Sequence, residues 1–189
     1  MNTPAHLLVG LAVCARPEKR GTARMAALGS LAPDLSLYVM AGVSLFILQI
    51  PPSVVFGELY FSPAWQGVFA IDNSFVFWGL GLAAALALRS APAIAFACAG
   101  LLHLATDFPL HHDDARAHFW PLTGWVFESP FSYWDSDHHA GLVAPLTLLA
   151  VLISAVVVWR RWPHWLARGG VLAICAMEVW VVRQWLLFF

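Results

Sequence analysis

The 189-residue sequence has few charged residues: Asp, Glu, Lys and Arg together make up 11% of it, whereas hydrophobic residues make up 60%. A soluble domain carries about 25% charged residues, so this chain has too little polar surface to stay in water once folded. The same apolar excess excludes a disordered chain. The net charge of −1 excludes the basic surface typical of nucleic-acid-binding proteins. We therefore expect an integral membrane protein whose main partner is the lipid bilayer.

Cysteine is also scarce, and its spacing excludes two further classes of protein. The three cysteines, Cys14, Cys98 and Cys175, are far apart and form no CxxC pair. A disulfide framework and a cysteine-based zinc site are therefore excluded. No Lys or Arg precedes the first apolar run, so we expect that run to be part of the mature protein rather than a signal peptide.

Apolar segments divide the chain between turns that contain proline, glycine and charge. Six are visible, at residues 3–15, 25–50, 71–89, 92–110, 141–159 and 169–189. A membrane-spanning helix needs about 20 residues, which the first segment lacks and the other five have. The sequence therefore predicts an all-α protein with five membrane-spanning helices and a short N-terminal partial helix. Residues 1–189 should form a single membrane-embedded domain.

The distribution of basic residues predicts an orientation. Eight of the ten Lys and Arg residues fall in the turns near residues 16–24, 89 and 160–168. The positive-inside rule places these turns in the cytoplasm. The long segments 51–70 and 111–140 then face the periplasm or the outside. Both are rich in aromatic residues, so we expect them to lie as interfacial loops at the outer headgroup level.

Ionisable residues inside apolar segments indicate function, because burying them in lipid is costly. His6 lies 14 residues before Arg20, at the first turn, and Asp34 lies 14 residues after it. In an antiparallel hairpin, equal distance from the turn means equal depth. The same reasoning at the turn near residue 90 brings Asp72, His103 and Asp107 to similar depths. We therefore expect these five side chains in the middle and outer half of the membrane. Glu178 is also mid-span, and its role stays open.

His103 and Asp107 are four residues apart and so project from one face of a helix. An imidazole and a carboxylate placed in this way can bind one metal ion. The alternative is a hydrogen-bond network that fixes helix packing.

A second group of His and Asp residues follows that helix. His111, His112, Asp113 and Asp114 are consecutive, and residues 135–139 contain another Asp/His cluster. Imidazole and carboxylate ligands in this mixture suit Zn²⁺ or a similar divalent ion. For any one of these residues, a solvated loop charge is the alternative interpretation.

Three stretches resemble a known family. They are residues 3–10 (TPAHLLVG), residues 29–34 (GSLAPD) and the His103-x3-Asp107 pair. They resemble the bacterial membrane-bound metal-dependent hydrolases of the inner-membrane YdjM type. That family is in turn similar to zinc-dependent phospholipase C and the S1/P1 nucleases, where a His-x3-Asp helix is followed by Pro-Leu-His, as here at residues 109–111. Where that family has a His-Arg-x-x-Thr-His stretch, this chain has Asp72 and Asn73, so two imidazoles are absent.

The resemblance implies a metal-dependent hydrolase of the bacterial inner membrane, with one or two divalent ions, zinc first among them. The implied metal ligands come from both groups above: His6, Asp34, Asp72, His103, Asp107, His111 and His112. We expect His111 and His112 to stabilise charge on the reacting oxygen and Asp113 or Asp114 to accept a proton. A site near the outer headgroups indicates a lipid-like phosphoester or other ester as substrate. The alternatives are a non-catalytic metal-binding or transport protein and a structural membrane scaffold.

Overall fold

The computed structural model describes the backbone of residues 1–188 and the side chains through residue 184. The described chain is helical and contains no β-strand, which confirms the all-α prediction. Residue 189, the end of the sixth predicted segment, lies outside the described residues. The helices are α1 Thr3–Cys14, α2 Thr22–Leu31, α3 Leu35–Gly42, α4 Pro52–Val54, α5 Pro63–Asp72, α6 Phe75–Ala87, α7 Ala91–Asp107, α8 Ala140–Arg161 and α9 Trp165–Phe188.

Four helical stretches are long and apolar enough to span a membrane: Thr22–Ile47, Pro63–Ala87, Ala140–Arg161 and Trp165–Gln184. The chain is therefore consistent with a multi-pass membrane protein. Helices α1 and α7 are apolar but shorter. Five spans were predicted, with the fourth apolar segment among them; that segment forms the 17-residue helix α7, which ends at Asp107. Pro109 follows two residues later and lacks the N–H that would continue the helix.

The predicted outer loop at residues 51–70 is largely helical. Helix α5 begins at Pro63, and the Ser62 side chain accepts a hydrogen bond from the Trp65 N–H at 3.4 Å. The helical stretch is interrupted later, at Asn73, and the Ser74 side chain caps the start of α6. The span predicted at residues 71–89 therefore begins earlier, at Pro63, because an N-cap serine followed by proline starts a helix efficiently. Within the predicted outer segment 111–140, residues 111–135 are irregular and α8 begins at Ala140.

Close helix packing brings the polar residues of different helices together. Helix α1, although short, packs against α2, α7, α8 and α9. Helices α2 and α7 approach so closely that a Cβ at Gly29 would overlap the backbone carbonyl of Phe96. Because glycine has no Cβ, the two backbones can approach closely, as they do at membrane helix contacts formed by small residues. The crossing sets Ser30 on α2 beside His103 on α7.

The stretch Thr22–Ile47 is interrupted by a turn of 3₁₀ helix, Ala32–Asp34, between α2 and α3. In a 3₁₀ turn the donor to the Ser30 carbonyl would be residue 33, and Pro33 has no N–H. The Ser30 carbonyl is therefore free to accept a hydrogen bond from outside its own helix. The same turn places Asp34 at the start of α3.

Candidate metal centre

The buried carboxylate of Asp107, the last residue of α7, is the centre of the candidate site. Its Oδ1 lies 3.0 Å from His6 Nε2 and its Oδ2 lies 3.1 Å from His103 Nε2. His111 Nε2 lies 3.4 Å from Oδ2. The amino group of Met1 also contacts Oδ1. Met1, helix α1, helix α7 and the turn after α7 thus meet at one carboxylate.

The two imidazoles nearest Asp107 are aligned. The rings of His6 and His103 are stacked, with centroids 3.6 Å apart and planes 8° apart. One ligand atom from each of His6, His103 and Asp107 lies within 4.8 Å of the others. Among the residues that the structure describes, this is the only group of three or more His, Cys, Asp or Glu side chains that converges so closely. Two imidazoles and a carboxylate are the protein ligands of several catalytic zinc sites.

Hydrogen bonds orient both imidazoles through their other nitrogen. His103 Nδ1 lies 2.8 Å from the Ser30 carbonyl oxygen, which can only accept, so Nδ1 carries the proton. In neutral His103, Nε2 therefore presents a lone pair. His6 Nδ1 lies 3.5 Å from the Thr106 hydroxyl. Imidazoles that bind metals are commonly held through the second nitrogen in this way.

The two Nε2 atoms are placed either to bind a metal ion or to share protons with Asp107. Both are buried, and neither has a partner with hydrogen-bond geometry, although each lies about 3 Å from an oxygen of Asp107. A lone pair that faces a carboxylate at this distance is repelled unless a cation lies between them. That cation is either a proton on the imidazole or a metal ion shared by the ligands.

Asp34 lies at the edge of this group. Its Oδ1 is 3.7 Å from His103 Nε2. The Tyr38 hydroxyl, one turn further along α3, donates to its Oδ2 at 3.4 Å. The Asp34 side chain is 21% exposed, more than Asp107 at 7%. Asp34 is thus close enough to complete a shared site, and it faces the cavity described below.

His111 and Asp114 form an outer pair beside Asp107. His111 Nδ1 lies 2.8 Å from Asp114 Oδ2. Burial opposes protonation of His111, but Asp107 and Asp114 outweigh it and raise its pKa to about 9. Burial also opposes ionisation of Asp114, yet His111 and Arg116 hold its pKa below the usual range. The pair therefore carries a proton at neutral pH.

A cavity of about 380 Å³ opens beside these groups. Asp34, Asp107, His111 and Asp114 line its polar side, and Leu37 of α3 and Met177 of α9 line its apolar side. A substrate with a polar end and an apolar end would find both environments there.

Three predicted site residues lie elsewhere. Asp72 lines a different cavity, formed with Trp78 and Phe96, and its backbone carbonyl accepts a hydrogen bond from the Trp78 indole. His112 faces the second His/Asp cluster: its Nε2 lies 3.4 Å from Asp113 Oδ1, and its ring stacks on His138 with centroids 3.6 Å apart. His112 and Asp113 therefore turn away from Asp107, although they follow His111 directly.

One of the residues that contact the site but were not identified from the sequence is Ser30. Ser30 contributes a backbone carbonyl, for which the sequence carries no signal beyond the proline three residues on. The fully buried Glu178 accepts a hydrogen bond from Asn2 at 3.1 Å. It therefore ties α9 to the start of α1, which gives this mid-span carboxylate a structural contact.

Comparisons with protein-family models, with curated proteins and with solved structures find no match to this chain.

Proposed function

We propose that this chain is a membrane-embedded, metal-dependent hydrolase that cleaves a phosphoester or other ester of an amphiphilic substrate. We place it in a bacterial inner membrane, with the basic turns in the cytoplasm and the cavity facing outward. The observation that carries the proposal is the pair of buried, unpartnered Nε2 atoms of His6 and His103 at the Asp107 carboxylate.

His6, His103 and Asp107 would hold the ion, with Asp34 at its edge. Two imidazoles and one or two carboxylates form a donor set that suits zinc. When bound, a divalent ion there supplies Lewis acidity that activates water and polarises the scissile group.

The surrounding residues have roles of their own. The Ser30 carbonyl fixes the His103 ring, and Thr106 does the same for His6, so both imidazoles are preorganised. The His111–Asp114 pair holds a proton beside the cavity and can pass it to the leaving group. Burial of Asp107 and both rings keeps bulk water from competing for the ligands.

Metal analysis of the purified full chain tests the proposal, beside His103→Ala and the control His164→Ala, which changes an exposed histidine at the other end of the bundle. We expect about one zinc ion per chain in wild type and in the control, and a large loss in His103→Ala. Asp34→Ala should lose less, because Asp34 lies further from His103. A wild type that binds no divalent metal would contradict the proposal and favour a structural imidazolium–carboxylate network.

Turnover separates the enzyme from a transporter with the same ligands. We expect metal-dependent hydrolysis of a chromogenic phosphodiester by the detergent-solubilised protein. Metal flux into proteoliposomes without hydrolysis would favour transport instead.

A further inference from the structure

Arg116 is the one basic residue in the two outer segments, and it is buried. It is only 6% exposed. Its guanidinium lies over the rings of Phe69 and Tyr60, 4.2 and 4.8 Å from their centroids. Its Nη2 donates a hydrogen bond to the Tyr60 hydroxyl at 2.6 Å. Helix α5 and the turn before it thus hold the guanidinium plane in one position.

The guanidinium is not satisfied by the contacts that hold it. Its Nη1 is buried and has no hydrogen-bond partner among the described residues. Within the described part of the chain, no carboxylate oxygen lies within 4.0 Å of Arg116. Buried arginine is normally paired directly with a carboxylate or another anion. The charge of Arg116 acts on Asp114, but only from beyond ion-pair distance, so a direct anionic partner is missing from the described residues.

Arg116 and the candidate metal ligands line the same cavity. Arg116 and Tyr60 lie on its wall together with Asp107, His111 and Asp114. The cavity is therefore lined both by the candidate metal ligand Asp107 and by a fixed guanidinium. An anion that bridges a metal ion and Arg116 would satisfy both.

We propose that Arg116 binds the phosphate-type oxyanion of the substrate and positions it against the metal ligands. The planar guanidinium offers two parallel N–H groups that match the spacing of phosphate oxygens. This inference rests on the proposed hydrolase function, and it makes that function specific for a phosphorylated compound rather than a neutral ester.

The apolar wall of the cavity indicates the source of the phosphate. Leu37 lies on α3 and Met177 on α9, both within stretches that are apolar enough to span a membrane. An alkyl chain attached to the phosphate would lie against these residues. We therefore assign the oxyanion to a membrane amphiphile rather than to a free phosphate.

Binding of two probes to the detergent-solubilised full chain tests this assignment. The probes are inorganic phosphate and micellar dodecyl phosphate, each titrated with and without added zinc. We expect dodecyl phosphate to bind more tightly, and Arg116→Gln to weaken both by about 10- to 100-fold, the value of a charge-assisted hydrogen bond. Arg116→Lys keeps the charge but loses the two parallel N–H groups. Its affinity for each probe should therefore lie between those of wild type and Arg116→Gln. Arg89→Gln removes an exposed arginine at a cytoplasmic turn and should match wild type.

Zinc affinity, measured in parallel, distinguishes this inference from the proposed function. Arg116→Gln should bind zinc as wild type does, because Arg116 is not a metal ligand. If wild type binds no zinc, the hydrolase proposal fails, while the two phosphate titrations still test Arg116. Equal phosphate binding by wild type, Arg116→Gln and Arg116→Lys overturns the oxyanion site, as does no binding by wild type. Binding of inorganic phosphate alone overturns the amphiphilic source. If Arg116→Gln fails to fold, phosphate binding by Arg116→Lys is compared with that of wild type instead.

Discussion

Two clusters of histidine and aspartate lie a few residues apart along the chain and differ in almost every physical respect. The inner cluster, His6, His103 and Asp107, is buried where helices α1, α2 and α7 meet. The outer cluster is formed by His112, Asp113, Asp135 and His138, on irregular chain. In the outer cluster the Asp113 side chain is 65% exposed, and His138 Nδ1 is paired with Asp135 Oδ2 at 2.7 Å.

The difference shows that residue type alone does not make a metal site. Both clusters contain the ligands that zinc prefers, and in both a pair of imidazoles stacks with ring centroids 3.6 Å apart. In the inner cluster the Nε2 atoms of His6 and His103 have no hydrogen-bond partner among the described residues, and both face one carboxylate. In the outer cluster the side chains bond to one another or to nearby backbone groups. Convergence of buried ligand atoms, rather than composition, is what distinguishes the inner cluster.

The largest effect should come from Asp107→Asn, compared with Asp113→Asn. Loss of the Asp107 charge removes a proposed ligand and leaves the Met1 amino group and the imidazoles without their anion. Breaking a buried ion pair costs about 3–5 kcal/mol. Zinc affinity should fall by more than the roughly 100-fold lost when a group that only hydrogen-bonds to a metal ligand is removed. Asp113→Asn should change neither. Thermal unfolding and zinc titration check both variants, and equal zinc affinity in the two would place the metal site elsewhere.

The next largest effect should come from Gly29→Ala. The added Cβ would lie 2.9 Å from the Phe96 carbonyl carbon, and a backbone group cannot move away as a side chain can. Overpacking of this kind costs about 1–3 kcal/mol, and rigid neighbours favour the upper end. The shift would also move Ser30 away from His103, so zinc affinity should fall with stability. Gly79→Ala is the matched control, since its Cβ would meet nothing within 4 Å; a loss of stability there equal to that of Gly29→Ala would contradict the argument.

The contrast also explains which parts of the site could be predicted. Counting residues from the turns gave equal depth to His6 and Asp34 and a similar depth to His103 and Asp107, and these four side chains do lie close together. The count gives depth but not direction around the helix axis. Asp72 has a suitable depth but ends helix α5, where Asn73 bonds to the Pro33 carbonyl at 3.2 Å and Asp72 faces another cavity.

The direction in which side chains point outside the helices could not be predicted either. His111 and His112 are adjacent in sequence, yet one faces Asp107 and the other faces the outer cluster, because the turn after α7 follows no helical period. The fold class could be predicted from composition, because an excess of hydrophobic residues indicates membrane helices however those helices are arranged. The start of α5 could not be predicted in this way. Ser62 and Pro63 begin a helix inside a segment for which the aromatic residues had predicted a loop.

A smaller effect, confined to the outer segment, is expected from pH. Burial lowers the pKa of His118 to about 4, and its Nδ1 donates to the Asn73 carbonyl at 2.9 Å. Between pH 6.5 and 4 the unfolded chain binds a proton that the folded chain does not, so stability is lost as the pH falls through this range. From pH 7 to 5 the loss should be about 2 kcal/mol.

Limited proteolysis of the outer segment at pH 7 and pH 5 checks this prediction. His118→Asn keeps a donor near the Nδ1 position and removes the titration, so its cleavage rate should change less between the two values. Equal changes in wild type and His118→Asn would assign the pH sensitivity to another group. Zinc bound at the inner cluster should be retained in both when measured at pH 7.

The smallest effect is expected from Asp135→Ala, which removes the most connected residue of the outer cluster. Asp135 Oδ1 accepts from the Asp137 N–H at 2.9 Å and Oδ2 pairs with His138. The first contact caps a short turn, and such a cap is worth about 1 kcal/mol. The second is a partly exposed ion pair, worth at most about 1 kcal/mol. Stability should therefore fall slightly, and zinc affinity should stay at the wild-type value. If Asp135→Ala loses zinc as Asp107→Asn does, the outer cluster is a ligand group after all, and exposure would no longer separate structural histidines from metal-binding ones in this protein.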